Sequence, residues 1–248
     1  MKRAVLWAGA LCMLGAVCPE CAAQAQAQAK DWDDSYYRTV TPQKFQRYEP
    51  ATREIDFKNV NHELLGAAIF YETNRQRTQQ GKKPFRYSPA LRKAALGHAT
   101  DMVEKDFHGH VNPDDPAKRT LRQRLARVGV TRCAISENVA YVPARPYPVV
   151  SRRPGSGQIR IDPANIPRPH TYLSFAKQLV AGWMLSPPHR KNILSGATTY
   201  LGCAAVYCQK DVLSSRGKVY KVDYFKACQN FASVRGPAPK KRPRTGRR

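Results

Sequence analysis

The order of sequence patterns predicts an α+β fold, a mostly antiparallel sheet covered by helices. Helical periodicities fill the first half of the chain and one strand pattern stands near residue 135. After one more helix, the remaining strand patterns gather beyond residue 200.

Residues 30–58 are polar and aromatic without a sustained period, and read as an extended lead-in that packs through Trp32, Tyr36, Tyr37, Phe45 and Tyr48. Asn61 then has the character of a helix cap, and Leu64, Ala68, Tyr71 and Arg75 recur at helical spacing until Gly81, ahead of Pro84. A second helix opens at Ser88-Pro89, with serine as cap and proline in the first turn, and carries Leu91, Ala95, His98 and Met102 on one face. Because His98 lies on that apolar stripe, it reads as a core histidine satisfied by a neighbour. A turn-rich loop follows from Asp106 to Pro116. Within it His108 and His110 are two apart, and a turn at Gly109 lets one face a cleft without the other. A third helix is expected from Ala117 to Val128, with Leu121, Leu125 and Val128 inward and its arginines outward, ended by Gly129.

Ile135 to Tyr141 is the first strand. Alternation puts Ile135, Glu137, Val139 and Tyr141 on one face, so the Glu137 carboxylate shares a side with apolar groups. Such a carboxylate must find a partner, shift its pKa upward, or sit at a pocket edge. Residues 143–169 hold seven prolines and five arginines with little hydrophobic period, which marks an insertion or long loop rather than a second domain. The next helix runs from about Thr171 to Leu185, with Leu173, Ala176, Leu179 or Val180, and Trp183 on its buried side. Pro187 and Pro188 then break it. Proline fixes φ and lacks an N–H, so the pair aims His189 from a stiff corner before a short helix over Asn192 to Leu194. Tyr200 to Cys208 alternates weakly, and Lys218 to Ala232 supplies one or two further strands.

The start of the chain reads as an address. Lys2 and Arg3 precede an apolar run from Ala4 to Val17 and then an Ala-Gln repeat, the order of a cleavable secretory signal over residues 1–29. A lipoprotein signal is the rival, but Gly15, Ala16 and Val17 suit it poorly. Export to the periplasm or the cell exterior follows, and no later run is long enough to span a bilayer. Four cysteines then remain, Cys133, Cys203, Cys208 and Cys228, and an even number in an exported chain suggests two disulfides in one of three pairings. No C-x₂-C pair among them supports a thiolate zinc site.

The formal charge of +24 predicts attraction to polyanions such as anionic lipid or an anionic envelope polymer, with nucleic acid disfavoured as a physiological partner. Seven of the positive residues lie in 235–248, a stretch without acids that should be a disordered basic tail.

Several motifs in fixed order carry a resemblance. They are Asn74-x-x-Arg77 with Gly81 and Pro84, His98-x-x-Asp101-Met102, Phe107 to Pro113, Glu137-Asn138-Val139-Ala140, Trp183-x-x-Ser186-Pro187-x-His189-Arg190-x-Asn192-Ile193-Leu194, and Tyr200-Leu201-Gly202. Over Asn61 to Ser233 the chain resembles the CAP superfamily, the cysteine-rich secretory, antigen 5 and pathogenesis-related 1 proteins, and within it the bacterial exported, SCP-like branch. The resemblance sets a CAP domain at 59–234 and implies a three-layer α-β-α sandwich with a cleft holding two histidines and acidic residues. Carried over by motif, these are His110, Glu137 and His189, with Asn138 and Ser186 beside them. Eukaryotic members place a second glutamate where Ser186 stands; Ser136 and Pro188 also replace frequent glycines.

Two imidazoles and a carboxylate suit a divalent cation, zinc above all, with an open position, and equally a hydrogen-bonded cluster that holds no metal tightly. The expected function is a cleft-based binding module for a cation, lipid or envelope ligand. The alternative is a metal-assisted hydrolase of peptidase or esterase type, with Glu137, His110 and His189 as its catalytic candidates.

Overall fold

A computed structural model describes residues 32–146, 167–213 and 219–237. The expected signal, most of the proline-rich insertion and most of the basic tail lie outside the described residues. The chain divides into two units, Met1–Asp31 and Trp32–Arg248, and every element below belongs to the second.

The lead-in is not extended. It forms three single-turn helices, α1 (Tyr36–Thr39), α2 (Pro42–Phe45) and α3 (Glu49–Thr52). Trp32 explains this, since its buried ring makes edge contacts at 5.2–5.6 Å with Tyr36, Tyr37, Phe45, Tyr48 and Tyr71. Gathering rings around one indole requires a chain that doubles back.

Helix α4 (His62–Gln79) starts where Asn61 Oδ1 accepts from Leu64 N at 2.9 Å. Helix α5 (Pro89–Glu104) starts where Ser88 Oγ accepts from Leu91 N at 3.2 Å. Between them β1 (Arg86–Tyr87) is a two-residue strand. Helix α6 (Leu121–Ala126) is shorter than its periodicity predicted. Thr120 and Gln123 form a reciprocal capping box that fixes its first turn four residues after Ala117.

Strand β2 (Ile135–Pro143) precedes α7 (Tyr172–Leu185), capped by Thr171. Helix α8 (Pro187–Leu194) uses both prolines in its first turn, so His189 lies within the helix rather than at a corner before it. Strand β3 (Tyr200–Leu213) runs past Cys208, where the sequence pattern ended, and β4 (Val219–Ala232) is a single strand over nearly the whole of its expected range.

The strand order is β1-β3-β4-β2. Only β1 pairs in parallel, and β2, β3 and β4 are antiparallel. The register places Glu137, Asn230 and Gly202 side by side, followed on the same face by Val139, Cys228 and Ala204. Helix α5 covers this face through Ala95, Ala99 and Met102. Helices α4 and α7 cover the other through Leu65, Ile69, Phe175 and Ala176 against Leu201, Ala205, Phe225 and Phe231. The result is a three-layer α-β-α sandwich.

Two glycines let the layers close on β3. A Cβ at Gly66 would meet the Cys203 carbonyl oxygen at 2.7 Å, and one at Gly202 would meet Arg92 N of α5 at 2.0 Å.

None of the four cysteines is bonded to another. Alternation supplies the reason for the buried two: Cys203 pairs with Gln229 and Cys228 with Ala204, which puts their side chains on opposite faces of the sheet.

Candidate functional site: a histidine cleft around Glu137

Glu137 is the fixed point. Its side chain is 2% exposed, and its carboxylate found the partner that the apolar face demanded. One nitrogen of Arg124, Nη2, donates to Oε1 at 2.9 Å and to Oε2 at 2.8 Å. The ring of His110 donates from Nδ1 to Oε1 at 2.9 Å. On the far side Cys228 Sγ lies 3.4 Å from Oε2, and Asn230, with its amide turned to satisfy both ends, places a nitrogen 3.1 Å from the same oxygen. Both oxygens are therefore engaged. Burial alone raises the Glu137 pKa, but the His110 bond, the Arg124 charge and the proximity of His98 outweigh it and hold the carboxyl below the ordinary range.

Arg124 was expected to point outward. It is 4% exposed and faces the core, because 121, 124 and 125 share one side of α6 and it sits there between leucines. Its guanidinium also gathers the loop that carries His110: Nη2 donates to the His110 carbonyl at 3.0 Å, and Nη1 to the Lys118 and Arg119 carbonyls at 3.1 and 3.2 Å. The stripe was the available signal. The habit of placing arginine in water concealed it.

His110 is 54% exposed at its side chain. With Nδ1 as donor to a carboxylate, the neutral ring keeps its Nε2 lone pair for a ligand. His98, as expected, is a core histidine: it is fully buried and its Nε2 donates to the Gly109 carbonyl at 2.9 Å. Burial, opposed by Glu137, holds its pKa down, so it braces the loop as a neutral ring. His108 is exposed, with its ring 6.2 Å from that of Tyr141.

His189 arrives from helix α8, beside the edge strand β2. Helix α8 lies along β2, where Asn192 Nδ2 donates to the Glu137 carbonyl at 3.2 Å and to Asn138 Oδ1 at 2.9 Å. Asn138 in turn donates to the His189 carbonyl at 3.3 Å and to Gln229 Oε1 at 3.1 Å. These bonds cover an otherwise open sheet edge and fix the helix that bears the second imidazole. Burial and then the charge of His110 lower the His189 pKa. Asn138 is thus a buried brace, and Ser186 is the residue shared by the end of α7 and the start of α8.

Lys226 was also missed. It is buried on the face of Glu137, and its Nζ donates to the Met102 and Phe107 carbonyls at 2.6 and 3.0 Å, closing the C-terminal end of α5. Further along this face a hollow of about 560 Å³ is lined by Asp106, Tyr141, Cys208 and Lys226; it includes none of His110, Glu137 and His189.

With the layers, register and cleft in place, the sequence profile of the CAP family, described as the cysteine-rich secretory protein family, matches residues 70–225. The chain belongs to this family. An uncharacterized protein, YkwD, of Bacillus subtilis (strain 168) is 25% identical over 134 residues, which cover 54% of the chain and 39% of the relative. Among solved structures, an extracellular SCP-domain protein of Bacillus anthracis str. Ames is 22% identical, with a TM-score of 0.45, over 79% of the chain and 44% of that protein. An outer surface protein of Borrelia burgdorferi is 16% identical, with a TM-score of 0.41, over 73% of the chain and 97% of its own length. The chain thus spans less than half of the two Bacillus proteins.

Among the described residues no group of three His, Cys, Asp or Glu side chains is arranged to hold a metal ion. The donor chemistry agrees, since Glu137 turns both oxygens to Arg124. As a trio of ligands His110, Glu137 and His189 do not fit. Two imidazoles with a carboxylate behind one of them do fit the usual arrangement of a metal-binding histidine and its outer-shell partner. No described helix is long and apolar enough to cross a membrane.

Proposed function

We propose that this CAP protein is an exported binding module whose cleft receives its ligand at the two imidazoles, His110 and His189. The observation that carries the reading is the engagement of Glu137 by Arg124 and His110. A general base must be free to take a proton, and this carboxylate would do so only by surrendering a buried guanidinium and a hydrogen bond. Its lowered pKa points the same way. The second glutamate of eukaryotic relatives is absent, because Ser186 occupies that position. The chemistry left to the cleft is recognition rather than proton transfer.

A divalent cation, zinc being the one the donors suit, would be held by His110 and His189 while Glu137 orients the His110 ring from behind. Bound there, it would supply a Lewis-acidic anchor for a carboxylate or phosphate group. Two protein ligands make a weak site that an anionic envelope ligand would complete, and the +24 formal charge favours such a partner. Zinc calorimetry tests this. Heat of binding should disappear in the His110→Ala, His189→Ala double variant, and equal heats from both proteins would refute the imidazole site.

A further inference from the structure

We propose that Arg124 is the resident cation of the cleft: it occupies the carboxylate face that a third metal ligand would have to offer, and so sets the site for two-imidazole binding. The inference concerns Arg124 itself and builds on the reading of His110 and His189 as the ligand-facing groups.

Three features of the geometry carry it. The Arg124 side chain is 3% exposed and that of Glu137 is 2%, so water neither screens the pair nor competes for it. A single nitrogen of Arg124 spans both carboxylate oxygens, at 2.8 and 2.9 Å, and Oε1 has the His110 ring N–H as its other partner, so neither oxygen is without a donor. The same guanidinium holds the His110 carbonyl at 3.0 Å, so the group that cancels the charge of Glu137 also fixes the loop bearing the first imidazole. A metal approaching Glu137 would have to displace a positive charge anchored by three main-chain carbonyls, those of His110, Lys118 and Arg119. Removing that charge frees a carboxylate whose Oε1 already lies 2.9 Å from the His110 ring. The carboxylate would then be a ligand in waiting.

The test is zinc binding by three purified proteins, read by calorimetry and by the zinc-dependent shift of the melting midpoint. Wild type should bind weakly. Arg124→Met, which keeps bulk and loses charge, should bind at least about tenfold more tightly, and its melting midpoint should rise with zinc because binding to the folded state adds stability. Arg124→Met combined with Glu137→Gln should return to wild-type affinity. If Arg124→Met alone fails to fold without metal, zinc should restore its near-ultraviolet circular dichroism, because binding and folding are then coupled. An Arg124→Met protein that folds but binds zinc no better than wild type overturns the proposal, as does one that zinc cannot restore while the double variant is folded. These outcomes separate from the imidazole reading: loss of zinc heat on replacing His110 and His189 upholds that reading whatever Arg124→Met does. Tight binding by Arg124→Met with none by wild type upholds the role of Arg124 and removes zinc as the wild-type ligand.

Discussion

Replacing Gly202 by alanine should destabilise the protein out of proportion to one methyl group. The added Cβ would stand 2.0 Å from Arg92 N, 2.3 Å from Leu91 C and 2.7 Å from Arg92 Cα. These are main-chain atoms near the start of α5, so no side-chain rotation relieves the clash. Ordinary contact begins near 3.4 Å, and the helix must move off the strand by most of that difference. The movement loosens Ala95, Ala99 and Met102 against Val139, Ala204 and Cys228, and overpacking of this kind costs about 1–3 kcal/mol. For a domain of this size each kcal/mol lowers the melting midpoint by about 2–4 °C. Gly97, an exposed residue of the same helix, is the control: nothing lies within 4 Å of its added Cβ, and alanine there should stabilise by about 0.5–1 kcal/mol. Urea denaturation of both variants supplies the comparison. Shifts of the same sign, or a Gly202→Ala midpoint equal to wild type, would show that helix-to-strand spacing at Gly202 does not limit stability.

Three further outcomes are expected. Since the folded-state pKa of Glu137 lies below its unfolded value, its contribution is complete above about pH 4.5 and drains away as pH falls through the lowered folded value. Urea midpoints measured down an acidic series should therefore fall more steeply for wild type than for the Arg124→Met, Glu137→Gln double variant, and parallel curves would count against the linkage. Lys226→Met should cost about 1–3 kcal/mol, because the Met102 and Phe107 carbonyls lose their buried donor; a midpoint unchanged in urea would mean that water takes over without penalty. In the chain from residue 30 onward, thiol titration should find Cys133 reactive in the folded protein, Cys208 slower because burial raises its thiol pKa, and Cys203 and Cys228 only after denaturation, and fewer than four thiols in denaturant would reveal a disulfide.

Local chemistry made much of this fold legible. The caps at Asn61 and Ser88 and the alternation that faced Glu137 with Val139 and Tyr141 depend on neighbours within a few residues, and the structure keeps all of them. What escaped depends on distant partners. The coil of α1 to α3 is dictated by a ring shared with Tyr71, far along the chain. Arg124 turns inward for a carboxylate thirteen residues away on another element. The disulfide expectation counted cysteines, and parity along β3 and β4 separates the buried pair. For the site, motif order named His110, Glu137 and His189, but the division of labour among them rests on Arg124, which no motif contained.

The paired prolines at the head of α8 also bear on selectivity. A helix of ordinary sequence opens with several amide hydrogens facing outward, a ready seat for a phosphate or carboxylate. Here the first two positions are Pro187 and Pro188, and each contributes ring carbon instead of a donor. That end of the helix therefore lacks two of the main-chain donors that would otherwise seat an anion, and any anion attracted there would lean on side chains instead.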